Sequence, residues 1–243
     1  MKQLLRIGGI LTIVLLSHAC RKDNSLPVPT EGLVAYYPFN GNANDESGNG
    51  NHGTMISGSV LTKDKNGAAN RACSVNPGYV EIPDNNSLDL TNFTLCIWFK
   101  PEAIYHAFSC LIGKNYAIAY ALGFDSGGSA DCPAPVNIKR PMVFYAGHKR
   151  SEFATSDFTC GSNTWYHAAV TYNNSTGTIQ LYVDGVLTGT VSGVAGSIGN
   201  SSDPLGIGAD GHYTDKFLGV VDEVCIYDRV LSSSEISQIY SAY

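Results

Sequence analysis

Charge is scarce in this chain. Asp, Glu, Lys and Arg make up 15% of its 243 residues, 21 acidic against 15 basic, for a formal net charge of −6. No run of like charge is longer than two or three residues. Nucleic-acid binding rests on clustered lysine and arginine, so the composition argues against it. No apolar stretch approaches the roughly 20 residues that a spanning helix needs. From Glu31 to Tyr243 there is no linker, low-complexity run or repeat, and one domain over 31–243 is the economical reading. Neither C-x-x-C nor H-E-x-x-H occurs, and His52, His106, His148, His167 and His212 fall in no metal-binding spacing. What the chain does have is 44% hydrophobic residues, 26 Gly and 14 Tyr. That is the composition of a globular chain rich in turns and aromatic strands, which excludes disorder, coiled coil and collagen.

The first segment reads as an address. Lys2 and Arg6 precede an apolar run from Ile7 to Leu16, and small residues then lead to Cys20, the pattern of a secretory signal over 1–19. The stretch LLSHAC resembles the lipobox of bacterial lipoproteins, with Ser17 where the usual pattern has Leu. The resemblance implies that Cys20 becomes an acylated N-terminus, and two or three acyl chains anchor a protein durably. Arg21, Lys22, Asp23 and Asn24 resemble the short signal that sends some Bacteroidetes lipoproteins to the outer face of the outer membrane. Pro27 and Pro29 suit an extended spacer within 20–30.

Short β-branched and aromatic segments separated by Gly, Asn and Asp predict strands at Leu33–Phe39, Tyr79–Ile82, Phe93–Lys100, Phe108–Gly113, Ile118–Phe124, Met142–Ala146, Trp165–Tyr172, Ile179–Val183, Val186–Val191 and Phe217–Tyr227. Asp184-Gly185 between two of them predicts a type I′ hairpin, and Asn173 to Gly177 a second turn. Ser232 and Glu235 form a capping box, with Leu231 placed to staple onto Ile236, which predicts one two-turn helix at the end. The expected fold class is all-β, a two-sheet antiparallel jelly-roll sandwich with one short C-terminal helix.

Four blocks in order, GLVAYYPFNGNANDESGNGNHGT (32–54), YVEIPDNNSLDLTNFTLCIWFKP (79–101), TWYHAAVTYNNSTGTIQLYVDGVLTG (164–189) and VDEVCIYDRVLSSSEISQIY (221–240), resemble the laminin-G-like, concanavalin A-type jelly rolls of secreted bacterial proteins. Such domains serve as carbohydrate-binding modules, adhesins and accessory domains of hydrolases, so the resemblance implies a fold and leaves function to the site. The E-x-D-x-x-E spacing of laminarinase-type hydrolases and the Q-[IV]-H of alginate lyases are both absent. Asp45-Glu46 and Asp222-Glu223 are adjacent pairs, which on a strand point to opposite faces and so cannot flank one sugar bond unaided. The resemblance implies a structural calcium ion, with Asp222 as closing-strand ligand and Asn40, Gly41 and Asp45 as opening-turn candidates, chemistry that suits a hard cation seeking oxygen.

Six cysteines follow Cys20: Cys73, Cys96, Cys110, Cys132, Cys160 and Cys225. In an exported chain an even count suggests disulfides. Cys132 and Cys160 near turns are the better loop staple, whereas Cys96 and Cys225 in mid-strand also read as small buried hydrophobes. Trp98 and Trp165 read as core, and Tyr105, Tyr116, Tyr120, Tyr145, His148, His212 and Tyr213 are looser candidates for a sugar platform. Together these features predict a surface-anchored, non-catalytic module for carbohydrate, braced by calcium. The alternatives are a glycan-cleaving hydrolase or lyase on the same fold and a protein-binding adhesin or assembly subunit.

Overall fold

The computed structural model describes residues 27–103, 108–115, 117–125, 142–147, 149–153, 163–193, 195–196, 198–211 and 215–243. In chain order the strands are β1 (Leu33–Tyr37), β2 (Thr54–Ile56), β3 (Val60–Thr62), β4 (Ala72–Ser74), β5 (Tyr79–Ile82), β6 (Phe93–Ala103), β7 (Phe108–Gly113) and β8 (Tyr120–Asp125). They continue as β9 (Met142–Ala146), β10 (Lys149–Phe153), β11 (Tyr166–Asn173), β12 (Thr178–Val183), β13 (Val186–Val191), β14 (Leu205–Ile207) and β15 (Leu218–Tyr227). A single α-helix among the described residues, α1 (Ser233–Ser241), closes the order.

Two antiparallel sheets result. The first runs β13-β12-β11-β6-β15-β4-β3, with β1 also paired to β15, and the second runs β10-β9-β8-β7-β14-β5-β2. Alternation along each strand decides what lies between them. On β6, Phe93, Leu95, Ile97 and Phe99 enter the inter-sheet core, while Cys96 joins a separate cluster on the outer face. The core is aromatic at its centre: Phe93 lies 5.0 Å from Tyr120, 5.4 Å from Tyr172 and 5.9 Å from Phe144, in the tilted arrangements that ring quadrupoles favour.

The outer face of the first sheet is covered by α1. Ser232 accepts from the Glu235 backbone N–H while Glu235 accepts from the Ser232 backbone N–H, the expected capping box. A nine-residue helix is not stable alone in water. Ile236 and Ile239, both fully buried among Tyr36, Cys96, Tyr182 and Leu231, hold it to the sheet, each contributing roughly 2 to 3 kcal/mol.

Nine of the ten expected strands appear within one residue at their starts, with the expected turn at Asp184 (φ 48°) and Gly185 (φ 78°). The Ile118 segment starts later, at Tyr120, because the Asn115 side chain accepts from the Ala117 and Ile118 backbone N–H groups and holds a turn there. Four of the five unanticipated strands, β2, β3, β4 and β14, have only three residues each, too few for alternation to show. The fifth, β10, carries Lys, Arg and Glu.

Candidate functional site

The site is built around a defect in β15. Asp222 pairs with Trp98 and Cys225 with Cys96, so Glu223 and Val224 stand opposite Ile97 alone. One extra residue is thereby inserted, and Glu223 takes φ 49° to accommodate it. The expectation that adjacent carboxylates diverge fails here for that reason. Val224 still reaches the inter-sheet core, but Asp222 and Glu223 line one notch on the outer face with Trp98.

The β3–β4 hairpin supplies the opposite wall. The Asp64 carboxylate accepts from the Asn66 and Ala68 backbone N–H groups, an Asx turn that fixes the tip. β4 pairs with β15 at Val221↔Cys73, so the tip stands beside Asp222 and presents Lys65. Its Nζ lies 3.7 Å from the centre of the Trp98 ring and donates to the main-chain oxygen of Tyr243. α1 provides the roof, with Tyr240 stacked on Trp98 at 5.5 Å and 18°. The resulting notch, about 30 Å3, is lined by Asp64, Lys65, Asn66, Trp98, Trp165, Asp222, Glu223 and Tyr243. Asn66 is exposed and Trp165 half-buried, whereas Trp98 is 6% exposed.

Burial governs its electrostatics. Asp222, 4% exposed, is pushed up to about 9, first by desolvation and then by repulsion from Glu223, which outweigh the Lys65 attraction and a bond from the Glu223 N–H. Desolvation likewise raises Glu223 to about 7, against the opposing bonds from the Tyr36 and Tyr243 hydroxyls. Tyr36 Oη donates to Glu223 at 2.6 Å and lies 2.6 Å from Tyr243 Oη. His167, fully buried 5.4 Å from Trp98, is lowered to about 3 by burial and by Lys65 and stays neutral. Neither its ring nitrogens nor the Trp98 Nε1 has a hydrogen-bond partner among the described residues.

The residues expected to share calcium have different partners. The Asp45 carboxylate accepts from three backbone N–H groups, those of Tyr36, Ser47 and Asn51. Asn40 Oδ1 accepts from Arg71 at 3.0 Å, and the Gly41 N–H donates to the Phe39 and Asn70 carbonyls. Asp222 instead faces Lys65. As a joint donor set for one ion these four residues do not fit, and among the described residues no group of three or more His, Cys, Asp or Glu is arranged to hold a metal. Tyr120, a candidate platform, is wholly buried in the core, a correction. Tyr105, Tyr116, His148, His212, Tyr213, Cys20, Cys132 and Cys160 lie outside the described residues, as does the side chain of Tyr145. Cys73, Cys96, Cys110 and Cys225 are buried and in the reduced form in this structure. Missed in the sequence were Lys65, Asp64 and Tyr243, for which the one available signal was the D-x-N-G turn at Asp64–Gly67, while Glu223 was set aside as half of a divergent pair. A wider groove of about 320 Å3, lined by residues including Asn49, Asn85, Ser87 and Asp228, lies near the start of β1 and carries no aromatic ring.

Two antiparallel sheets of eight and seven strands, closed by a short helix, define a jelly-roll sandwich of the lectin type. The chain belongs to the concanavalin A-like lectin/glucanases superfamily, whose family model matches residues 75–237. Among solved structures it is similar to domain 4 of AbnA, an extracellular arabinanase from Geobacillus stearothermophilus, solved with arabinotriose (TM-score 0.65, 18% identity, 86% of this chain and 98% of that one). It is also similar to the binding domain of Paraclostridial Mosquitocidal Protein 1 (TM-score 0.65, 16% identity, 88% of this chain and 53% of that one). A botulinum neurotoxin type C structure, described as entering cells through two ganglioside molecules, gives TM-score 0.61 and 14% identity over 87% of this chain and 51% of that one. These identities speak for the fold alone. Adhesion G-protein coupled receptor V1 of Danio rerio is 24% identical over 155 residues, 63% of this chain but only 2% of the receptor.

Proposed function

We propose that the protein is a non-catalytic carbohydrate-binding module whose ligand rests against Trp165 and places one or two hydroxyls in the notch beside Trp98. The observation that carries this reading is the convergence of two indole rings with the oxygen-bearing side chains of Asp64, Asn66, Asp222 and Glu223. Aromatic faces stack on the C–H surface of a sugar while carboxylates and amides take its hydroxyls. A space of about 30 Å3 matches a water or hydroxyl and not a whole pyranose ring, so the ring must lie outside, on Trp165. Relatives on this fold described with arabinotriose and with gangliosides support the ligand class.

The two raised carboxyls favour a second reading, glycan cleavage by Asp222 and Glu223. Against it, the Glu223 carboxylate is tied to Tyr36 and roofed by Tyr243, so a scissile bond has no approach between the pair. A glycan array followed by titration calorimetry tests both. Trp165→Ala should weaken binding at least tenfold, and oligosaccharide release should stay at background. Release that disappears in Asp222→Asn would establish the enzyme, and unchanged affinity in Trp165→Ala would remove the notch from recognition. The proposal extends to a lipid anchor at Cys20 and the cell surface of an outer membrane. Metabolic labelling with a palmitate analogue checks it: label should vanish in Cys20→Ala, and persistence in that variant refutes the anchor.

A further inference from the structure

Cys96 and Cys225 are direct cross-strand partners on β6 and β15. Both side chains point to the outer face, in the cluster that α1 covers, and both are wholly shielded from solvent. Directly opposed residues of an antiparallel pair have Cα atoms about 4.5 to 5.5 Å apart, inside the span of about 4.4 to 6.8 Å that a disulfide bridges. Their placement also separates them from the other described cysteines. Cys73 belongs to the inter-sheet core, and Cys110 lies on the other sheet with Phe108 and Ala121.

We propose that Cys96 and Cys225 form a cross-strand disulfide when the chain folds in an oxidising compartment, locking β6 to β15 at the residue pair directly beside the Glu223–Val224 bulge. The chemistry is thiol–disulfide exchange with a protein disulfide of the oxidoreductase class. One cysteine thiolate attacks a carrier sulfur, giving a mixed disulfide and releasing one carrier thiol. The second cysteine then displaces the other carrier sulfur. Two protein thiols have become one disulfide, and the two electrons and two protons reside on the reduced carrier.

Timing follows from burial. Burial raises both thiols far above their ordinary value, so neither is a ready nucleophile once the fold is complete. The bond must therefore form before α1 docks, and Ile236 and Ile239 then shield it from reductants. Its position gives it a function: β15 is weakened by the bulge at Glu223, where ladder pairing to β6 is interrupted, and a covalent link beside the gap fixes the strand that carries both notch carboxyls.

The proposal shares with the preceding reading only the compartment, which production in a bacterial periplasm supplies whatever the ligand. The full chain is unfolded in guanidinium with iodoacetamide and no reductant, digested, and mapped by mass spectrometry. The expected result is one linked peptide pair containing Cys96 and Cys225, two hydrogens lighter than the sum of its parts, with both sites alkylated only after reduction. Full alkylation of both without reductant, or linkage of either to another cysteine, overturns it. A second measurement uses hydrogen exchange on the intact domain. Reduction during unfolding and refolding should raise exchange at β15 in the wild type and change nothing in a Cys96→Ala/Cys225→Ala variant, and equal effects in both would refute the link.

Discussion

Two buried aspartates stand on opposite terms with their surroundings. Asp45, 5% exposed in the opening turn, meets three backbone amides; Asp222, 4% exposed in β15, meets one amide, a neighbouring carboxyl and a lysine across the notch. Equal burial thus yields a structural brace in one place and a poised acid in the other. The deciding quantity is the number of fixed donors. A carboxylate met by several N–H groups has its lost hydration replaced by dipoles that need no reorganisation, whereas one without them favours its neutral form.

The largest effect expected from this contrast is at the brace. Asp45→Ala leaves the Tyr36, Ser47 and Asn51 amides without their acceptor, and hydrogen bonds to charged groups are worth about 1.5 to 3 kcal/mol each. With partial rehydration at half-buried Ser47, the loss should be at least about 3 kcal/mol, a fall in Tm of roughly 6 to 12 °C. Urea unfolding measures it, and calcium should not restore it, because the role belongs to the loop's own amides. A loss below about 1 kcal/mol would place Asp45 outside the frame of the turn.

The poised acid should behave in the opposite way. The folded value for Asp222, about 9, lies above the ordinary 3.8, so the folded state holds the proton more tightly than the unfolded chain. That contribution is fully present below about pH 4 and is lost as pH rises through about 9. Glu223, at about 7, adds a slope of the same sign over the lower part of the window. Wild-type Tm should therefore fall between pH 5 and pH 9. Asp222→Asn keeps an acceptor for the Glu223 N–H and removes the buried charge, so at pH 9 it should be more stable than wild type by about 1 to 2 kcal/mol. Near pH 3, below the ordinary value, the two should coincide. A variant less stable than wild type at pH 9 would mean that Lys65 outweighs burial.

The same contrast explains what could be read from the sequence. Strands of five or more residues with alternating apolar positions, such as Phe93 to Phe99, display their buried face directly, and the Ser232-to-Glu235 cap is local in the chain. The notch was not legible, because it depends on one inserted residue in β15. Alternation assigns Asp222 and Glu223 to opposite faces, and the extra position that cancels the rule is set by pairing with β6, more than 100 residues earlier. Lys65 was hidden for a related reason: β3 and β4, the strands that aim its hairpin, have three residues each and are defined by pairing to each other and to β15.

The smallest effect, and the most discriminating, is at Lys65. Lys65→Met preserves a flexible apolar chain against Trp98 and removes the ammonium. At pH 5, where Asp222 and Glu223 are largely neutral, the loss is the cation–π contact and the bond to the Tyr243 main chain, together about 0.5 to 1 kcal/mol at a half-buried position. At pH 9 the attraction of Lys65 for both carboxylates is lost as well, and their folded values should climb further. The gap between wild type and variant should therefore widen with pH, opposite in sign to the gap for Asp222→Asn. In an Asp222→Asn background the widening should shrink, since one of the two charges that Lys65 serves is gone. Tm measured at pH 5 and pH 9 for the four proteins of this cycle checks the argument. A Lys65→Met penalty that is the same at both pH values would show that the lysine acts on Trp98 alone and that the two carboxyls answer to burial without it.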